Sequence, residues 1–165
     1  MLALVLGWAA PGSARPRPKG PASVDAELIT VHATRAPRPQ RNGRVLGDLV
    51  DPRLGKQPAL ARPPFSAYGR FKLLRRSGAI LARGMAWKTR LPNGHDLMIS
   101  LKDVKVPKQP TAPMTFVIEL RIAKAGSTAF ASIGEVDAAA GETFFFDGRK
   151  HGDGIVVVGL KVLGD

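Results

Sequence analysis

The sequence contains no cysteine and only one tyrosine, two tryptophans and seven phenylalanines. The missing thiols exclude a disulfide framework, a thiolate metal centre and a cysteine nucleophile, so stability must come from packing alone. With 6% aromatic residues the core has to be built from Val, Ile, Leu and Ala. Acids are scarce as well, 13 against 25 Lys and Arg in 165 residues, a formal net charge of +12. The sequence has no run of about 18 apolar residues, the minimum for a membrane-spanning helix. Heptads and internal repeats are also missing, which removes coiled coils and solenoids. No G-x-S-x-G elbow occurs, and no two of His32, His95 and His151 share a metal-ligand spacing. The residues therefore assign no catalytic group, metal or cofactor.

What is present is 18 glycines and 14 prolines, an abundance that suits a loop-rich β protein better than a helical one. The 44% hydrophobic share and the length fit one domain with one core. Residues 1–14 carry no charge and read as an apolar run, Leu2 to Ala10, followed by Pro11, Gly12, Ser13 and Ala14. That is the shape of a signal segment cleaved before Arg15, although no basic residue precedes the run. The expected location is outside the cytoplasm: periplasmic, in the outer envelope, or extracellular. Residues 15–25 then read as a flexible Pro/Arg linker and residues 26–165 as a single β domain with a long Pro/Arg-rich connection at 35–66.

The charge is uneven. Residues 15–113 hold 20 basic against 6 acidic side chains, and residues 114–165 hold 5 against 7. Part of the excess lies in two stretches that mix Pro with Arg and have no apolar period, Arg15 to Pro21 and Arg35 to Arg44. Such segments are extended and solvated. The charge reads either as a solubility feature with a compositional bias toward Arg, or as attraction to a partner, which would be an anionic envelope component or a protein. Specific nucleic-acid recognition is disfavoured, because no aromatics interleave with the basic residues to form a stacking platform.

Glu27 to Thr34 alternates with Leu28, Thr30 and His32 on one face and Ile29, Val31 and Ala33 on the other, as a strand does. Asp51-Pro52 pairs an N-cap residue with proline at the first helical position, so a short helical turn is expected near 51–57, ended by Pro58. Residues 68–76 and 79–91 read as two strands parted by Ser77-Gly78. Asn93-Gly94 between two β-like runs is a hairpin signal. Beyond it, Leu97, Ile99 and Leu101 alternate with polar positions, and so do Phe116, Ile118, Leu120 and Ile122. Residues 128–136 form the next strand, with Phe130 and Ile133 as anchors. Phe144 to Phe146 leads into a Gly/Asp-rich tip from Asp147 to Gly154. Ile155 to Val158 is apolar on both faces and belongs at the centre of the fold. The sum is an all-β protein, a mainly antiparallel sandwich or barrel of about eight strands.

The tip at 147–154 alternates Asp and Gly as a calcium loop does, but Arg149 and Lys150 put positive charge where oxygen ligands would gather, so a hairpin tip is expected there. Phe65 and Tyr68, behind Pro63-Pro64, read either as ligand-contacting aromatics on stiff backbone or, more often for such a segment, as a plug sealing the end of the β core. With the basic residues that follow, Arg70, Lys72, Arg75 and Arg76, they form the candidate contact set for a ligand or partner. Glu119, Glu135, Asp137 and Glu142 are the acids from which a glycosidase-like carboxylate pair would have to come.

The order Ile29 to Ala33, Val50-Asp51-Pro52-Arg53-Leu54-Gly55, Pro64 to Tyr68, Leu91-Pro92-Asn93-Gly94 and Gly141 to Gly159 resembles a group of small exported bacterial proteins of unknown function. The resemblance implies a β fold and export and carries no catalytic residues. Gly141-Glu142-Thr143-Phe144 with Gly159-Leu160 is similar to the hairpin near the end of the outer-membrane secretin domain, over some twenty residues. The ring-forming domains that precede it in secretins have no counterpart here. The expected function is that of a non-enzymatic accessory or binding module of the bacterial envelope with a basic surface. The alternatives are a small hydrolase whose carboxylates converge in the fold, and an assembly component pairing through a strand edge.

Overall fold

A computed structural model describes residues 20–35, 50–109 and 111–164. The segment at 1–14 expected to be a signal, residues 15–19 of the first Pro/Arg stretch, residues 36–44 of the second and residues 45–49 after it lie outside the described residues. Eight strands follow in order: β1 (Ser23–Thr34), β2 (Arg70–Ala82), β3 (Ala86–Arg90), β4 (Asp96–Lys105), β5 (Thr115–Ala123), β6 (Ala131–Ala139), β7 (Thr143–His151) and β8 (Gly154–Leu163). They form two four-stranded antiparallel sheets, in the orders β2-β1-β8-β7 and β3-β4-β5-β6. The all-β sandwich expected from the alternation is the observed fold.

The pleat explains the layering. Val24, Ala26 and Leu28 on β1 and Val156, Val158, Leu160 and Val162 on β8 point inward. They meet Leu97, Ile99 and Leu101 on β4 and Phe116, Ile118, Leu120 and Ile122 on β5, all within one buried cluster. Burying each such side chain contributes about 1.5–3 kcal/mol against leaving it exposed, and this offsets the chain entropy lost on ordering. The opposite face of β1 and β8 is also dry. Ile29, Val31, Ala33 and Val157 join Leu54, Leu60, Phe65 and Phe71 in a second buried cluster on the outside of the first sheet. This double burial is why the Ile155 to Val158 run has no polar face.

The lid on that outer face is residues 50–69, folded as three short 3-10 turns, Pro52–Leu54, Pro58–Ala61 and Phe65–Ala67. Asp51 caps the first of them, its carboxylate accepting from the Arg53 backbone N–H at 3.0 Å, and Pro52 follows at the expected position. Helical structure extends past the expected 51–57, because Pro58 opens a turn instead of ending one. Its fixed φ and missing N–H suit the first position of a turn.

Several boundaries also differ from the sequence reading, among them the strand expected over 128–136, which is β6 at Ala131–Ala139 and leaves Phe130 outside it. The first strand starts at Ser23, inside the expected linker, because the β1 register with β2 and β8 continues past Glu27. Ser77-Gly78 does not interrupt β2, since both residues hold register with β1 opposite Leu28 and Glu27, and the turn falls instead at Gly84, with φ +76°. The tip expected over 147–154 is mostly strand: β7 runs to His151 through a bulge between Asp147 and Lys150, leaving a turn at Gly152-Asp153. The Asn93-Gly94 hairpin joins β3 to β4 as expected, with Gly94 at φ +81°.

Candidate functional site

β2 is an edge strand, and its register with β1 fixes where its basic residues stand. Arg70 lies opposite Thr34, Lys72 opposite His32, and Arg75 opposite Thr30. Continuing across the sheet, Thr34 lies opposite Gly154, which lies opposite His151 on β7. One row of the sheet thus carries Arg70 at one edge and His151 at the other, about 14 Å apart at three strand spacings.

Two of the three histidines meet in this part of the sheet. The rings of His32 and His151 pack edge to face with centroids 5.0 Å apart. His32 Nε2 donates to the His151 carbonyl at 3.1 Å and lies 3.4 Å from Asp153 Oδ1. No spacing in the sequence signals this, since the two are 119 residues apart and meet only through the β1-β8-β7 register. Among the described residues, no group of three or more acidic, histidine or cysteine side chains could hold a metal ion.

The β7 bulge closes the same end. Arg149 has a left-handed φ of +83°, and its N–H donates to Asp147 Oδ1 at 2.8 Å. Asn93, at the tip of the β3–β4 hairpin, reaches across from the other sheet. Its Nδ2 donates to the Gly148 carbonyl at 2.7 Å, with the Lys150 and Arg149 carbonyls at 3.3 and 3.4 Å. Its Oδ1 accepts from the His95 N–H at 3.3 Å. The turn residue that makes the hairpin legible therefore also ties the two sheets together. Arg149 and Lys150 stay exposed beside this clasp.

The other candidate contacts divide. Phe65 is 4% exposed and packs against Phe145 with ring centroids 6.5 Å apart, and Tyr68 lies partly buried against the same outer cluster. Their segment plugs the open face of a sheet, not the end of the sandwich, and Phe65 is spent on packing. Arg76 donates to Glu27 Oε1 at 2.7 Å and to the Arg53 carbonyl at 2.8 Å, so it pins the lid to the sheet. Arg70, Lys72 and Arg75 are exposed, and no ion pair holds them among the described residues.

Several acids elsewhere are committed to cations. Asp51 takes hydrogen bonds from the Arg53 guanidinium, the Arg53 N–H and the Leu73 N–H. The Arg53 guanidinium first, and then these N–H groups, hold the carboxyl far below the usual carboxylate range. Because Asp51 N–H also donates to the Phe71 carbonyl, this residue closes the β2 edge around 71–73. Glu119 and Glu135 lie directly opposite each other on β5 and β6. Arg121 hydrogen-bonds Glu119 at 2.8 Å and Lys102 approaches it at 3.5 Å, which lowers its pKa, with the Arg121 bond the larger cause. Asp137 is paired with Lys105 at 2.7 Å. With its pKa lowered, Glu119 is poorly suited to act as a general acid.

Two clefts open elsewhere on the surface. One, beside the β1 start, is lined by Ser23, Val24, Asp25, Met114, Phe116 and Gly164 among others. The second lies between the lid and the β6–β7 turn, with Lys56, Arg62, Glu142, Thr143 and Lys161 in its lining. No helix among the described residues is long and apolar enough to cross a membrane. Comparison with protein-family models, with curated proteins and with solved structures finds no match.

Proposed function

We propose that this chain is an exported, non-enzymatic accessory or binding module of a bacterial envelope, and that it meets an anionic envelope component through the basic end of its first sheet. The observation that carries the reading is the row Arg70, Lys72 and Arg75. These are three exposed cations on one edge strand, without acidic partners among the described residues, whereas Arg53, Arg90, Lys102, Lys105 and Arg121 are each matched to an acid. Arg149 and Lys150 extend the same charge across the sheet to β7. Unpaired surface cations gathered on rigid β structure raise the local concentration of a polyanion and speed its encounter. Export rests on the apolar run at 2–10 and the small residues that follow it.

Retention on an immobilised acidic polysaccharide and on vesicles containing an acidic lipid, followed as salt is raised, tests the reading. The chain is expected to be held at about 0.15 M ionic strength and released as screening shortens the range of the charge interaction. The triple variant Arg70→Gln, Lys72→Gln, Arg75→Gln is expected to elute well before the parent. Equal retention of the two would overturn the assignment of this edge. No retention of the parent on either support would overturn the charge-driven partner.

A further inference from the structure

The second cleft lies on the outer face of the first sheet and is built separately from the basic edge. Its floor is Lys161, half-buried on the interior strand β8, opposite Glu27 on one side and Thr143 on the other. The Glu27 carboxylate is taken by Arg76 at 2.7 Å, and no ion pair holds Lys161 among the described residues. One wall is the lid between Lys56 and Arg62, and the other is the β6–β7 turn with Gly141 and Glu142. The lid wall is fixed before any ligand arrives. Gln57 Nε2 donates to the Leu54 carbonyl at 3.1 Å, the Arg62 carbonyl accepts from the Phe65 and Ser66 N–H groups, and Leu54, Leu60 and Phe65 are buried in the outer cluster. Lys56, Arg62 and Lys161 thus line one hollow with a single acid, Glu142, and an anion seated among them is attracted by all three.

We infer that this cleft binds a phosphate dianion, as a phosphomonoester group. The chemistry follows from charge and shape. Lys56, Arg62 and Lys161 against Glu142 leave an excess of two positive charges, which matches the charge of about −1.5 to −2 that a phosphomonoester carries at pH 7 and exceeds that of a carboxylate. Arg62 supplies planar paired donors, and Lys56 and Lys161 act as point charges beside them. Thr143 adds a hydroxyl to the lining. Because the lid backbone is already ordered, the freedom lost on binding is mainly that of the Lys56, Arg62 and Lys161 side chains.

The test titrates the full chain with inorganic phosphate, with acetate as a monoanion, and with phosphatidylcholine vesicles containing phosphatidic acid, read by backbone amide shifts and by calorimetry. Saturable shifts confined to residues 56–62, 141–143 and 161 are expected with phosphate. Acetate is expected to bind at least tenfold more weakly. Lys161→Gln should weaken phosphate about tenfold, the scale of one charge-assisted contact, while Lys161→Arg retains binding and Glu142→Gln tightens it about threefold. Circular dichroism of each variant confirms the fold. Binding of both vesicles and free phosphate, or of free phosphate alone, supports the cleft and separates a lipid headgroup from a soluble ligand. Shifts spread over all basic residues, equal binding of acetate, or an unaltered Lys161→Gln would overturn it. The Arg70, Lys72, Arg75 triple variant is expected to keep phosphate binding, so failure at the basic edge and failure at this cleft are told apart.

Discussion

Single side chains decide how the two sheets meet. Asn93 spends its amide on the β7 bulge and its carbonyl on His95, and among the described residues no other side chain duplicates either role. Replacing it with alanine leaves the Gly148 carbonyl without its 2.7 Å donor and removes the support of Arg149 at φ +83°, a conformation that costs a non-glycine residue about 1–2 kcal/mol. Asn93→Ala is therefore expected to lower unfolding stability by about 1–3 kcal/mol in urea titration, with strand content by circular dichroism unchanged. Asp51 sets a different test. Its carboxyl is held far below its ordinary value in the fold, chiefly by the Arg53 guanidinium and then by backbone N–H groups. A carboxyl depressed by folding stabilises the fold fully above its unfolded pKa, near 4, and loses that contribution as pH falls through the folded value. Asp96 beside Arg90 and Glu119 beside Arg121 act in the same direction. Unfolding midpoints measured from pH 7 down to pH 2 should fall below about pH 4. The Asp51→Asn variant should start less stable at pH 7 and decline less steeply. Both differences should be small, because the Asp51–Arg53 pair is solvent-facing on its arginine side.

Among the elements, the lid is the one whose role the sequence left open. Phe65 behind Pro63-Pro64 reads as a plug ahead of a ligand contact, but an aromatic in a proline-rich loop has no periodicity to say which surface it covers. Only the register of β1 and β8, which brings Ile29, Val31 and Val157 to one face, shows that an outer apolar surface exists for it to cover. Phe65→Ala is expected to cost about 3–5 kcal/mol and to expose the lid to limited proteolysis at 50–69 before the rest of the chain. Unchanged stability would mean that the lid is dispensable. The same strands explain what was legible. Leu97, Ile99 and Leu101, and Phe116 to Ile122, announce themselves because one face meets the core and the other meets water. Asn93-Gly94 announces its turn because left-handed φ demands such residues. Gly78 and the 147–151 stretch misled because turn-type residues were read as turns, whereas here neighbouring strands hold them in register and a bulge absorbs the irregularity. Of the candidate site, the cations Arg70, Lys72 and Arg75 were legible as a run of charge. The meeting of His32 with His151, and that of Lys161 with the lid, were not, since both depend on pairings more than a hundred residues apart in sequence or on how the lid docks.

At the scale of the whole molecule, the charge asymmetry of the sequence becomes a spatial one. The outer face of the second sheet holds compensated pairs, Lys102 and Arg121 with Glu119 and Lys105 with Asp137. On the first sheet Arg70, Lys72 and Arg75 of β2 and Arg149 and Lys150 of β7 have no acidic partner among the described residues. Its β1 and β8 lie side by side and antiparallel at the middle, with Asp25 opposite Leu163 and Thr34 opposite Gly154. This arrangement has a mechanical consequence. Traction applied through the two ends of the described chain enters at the same pole, so it opens the β1–β8 ladder one rung at a time instead of shearing all its rungs together. At about 3.3 Å per residue the basic end sits roughly 30 Å from that pole. A tether on either side of the domain would therefore present Arg70, Lys72 and Lys150 outward, and tension on it would release the anchored pole while the basic end was still intact.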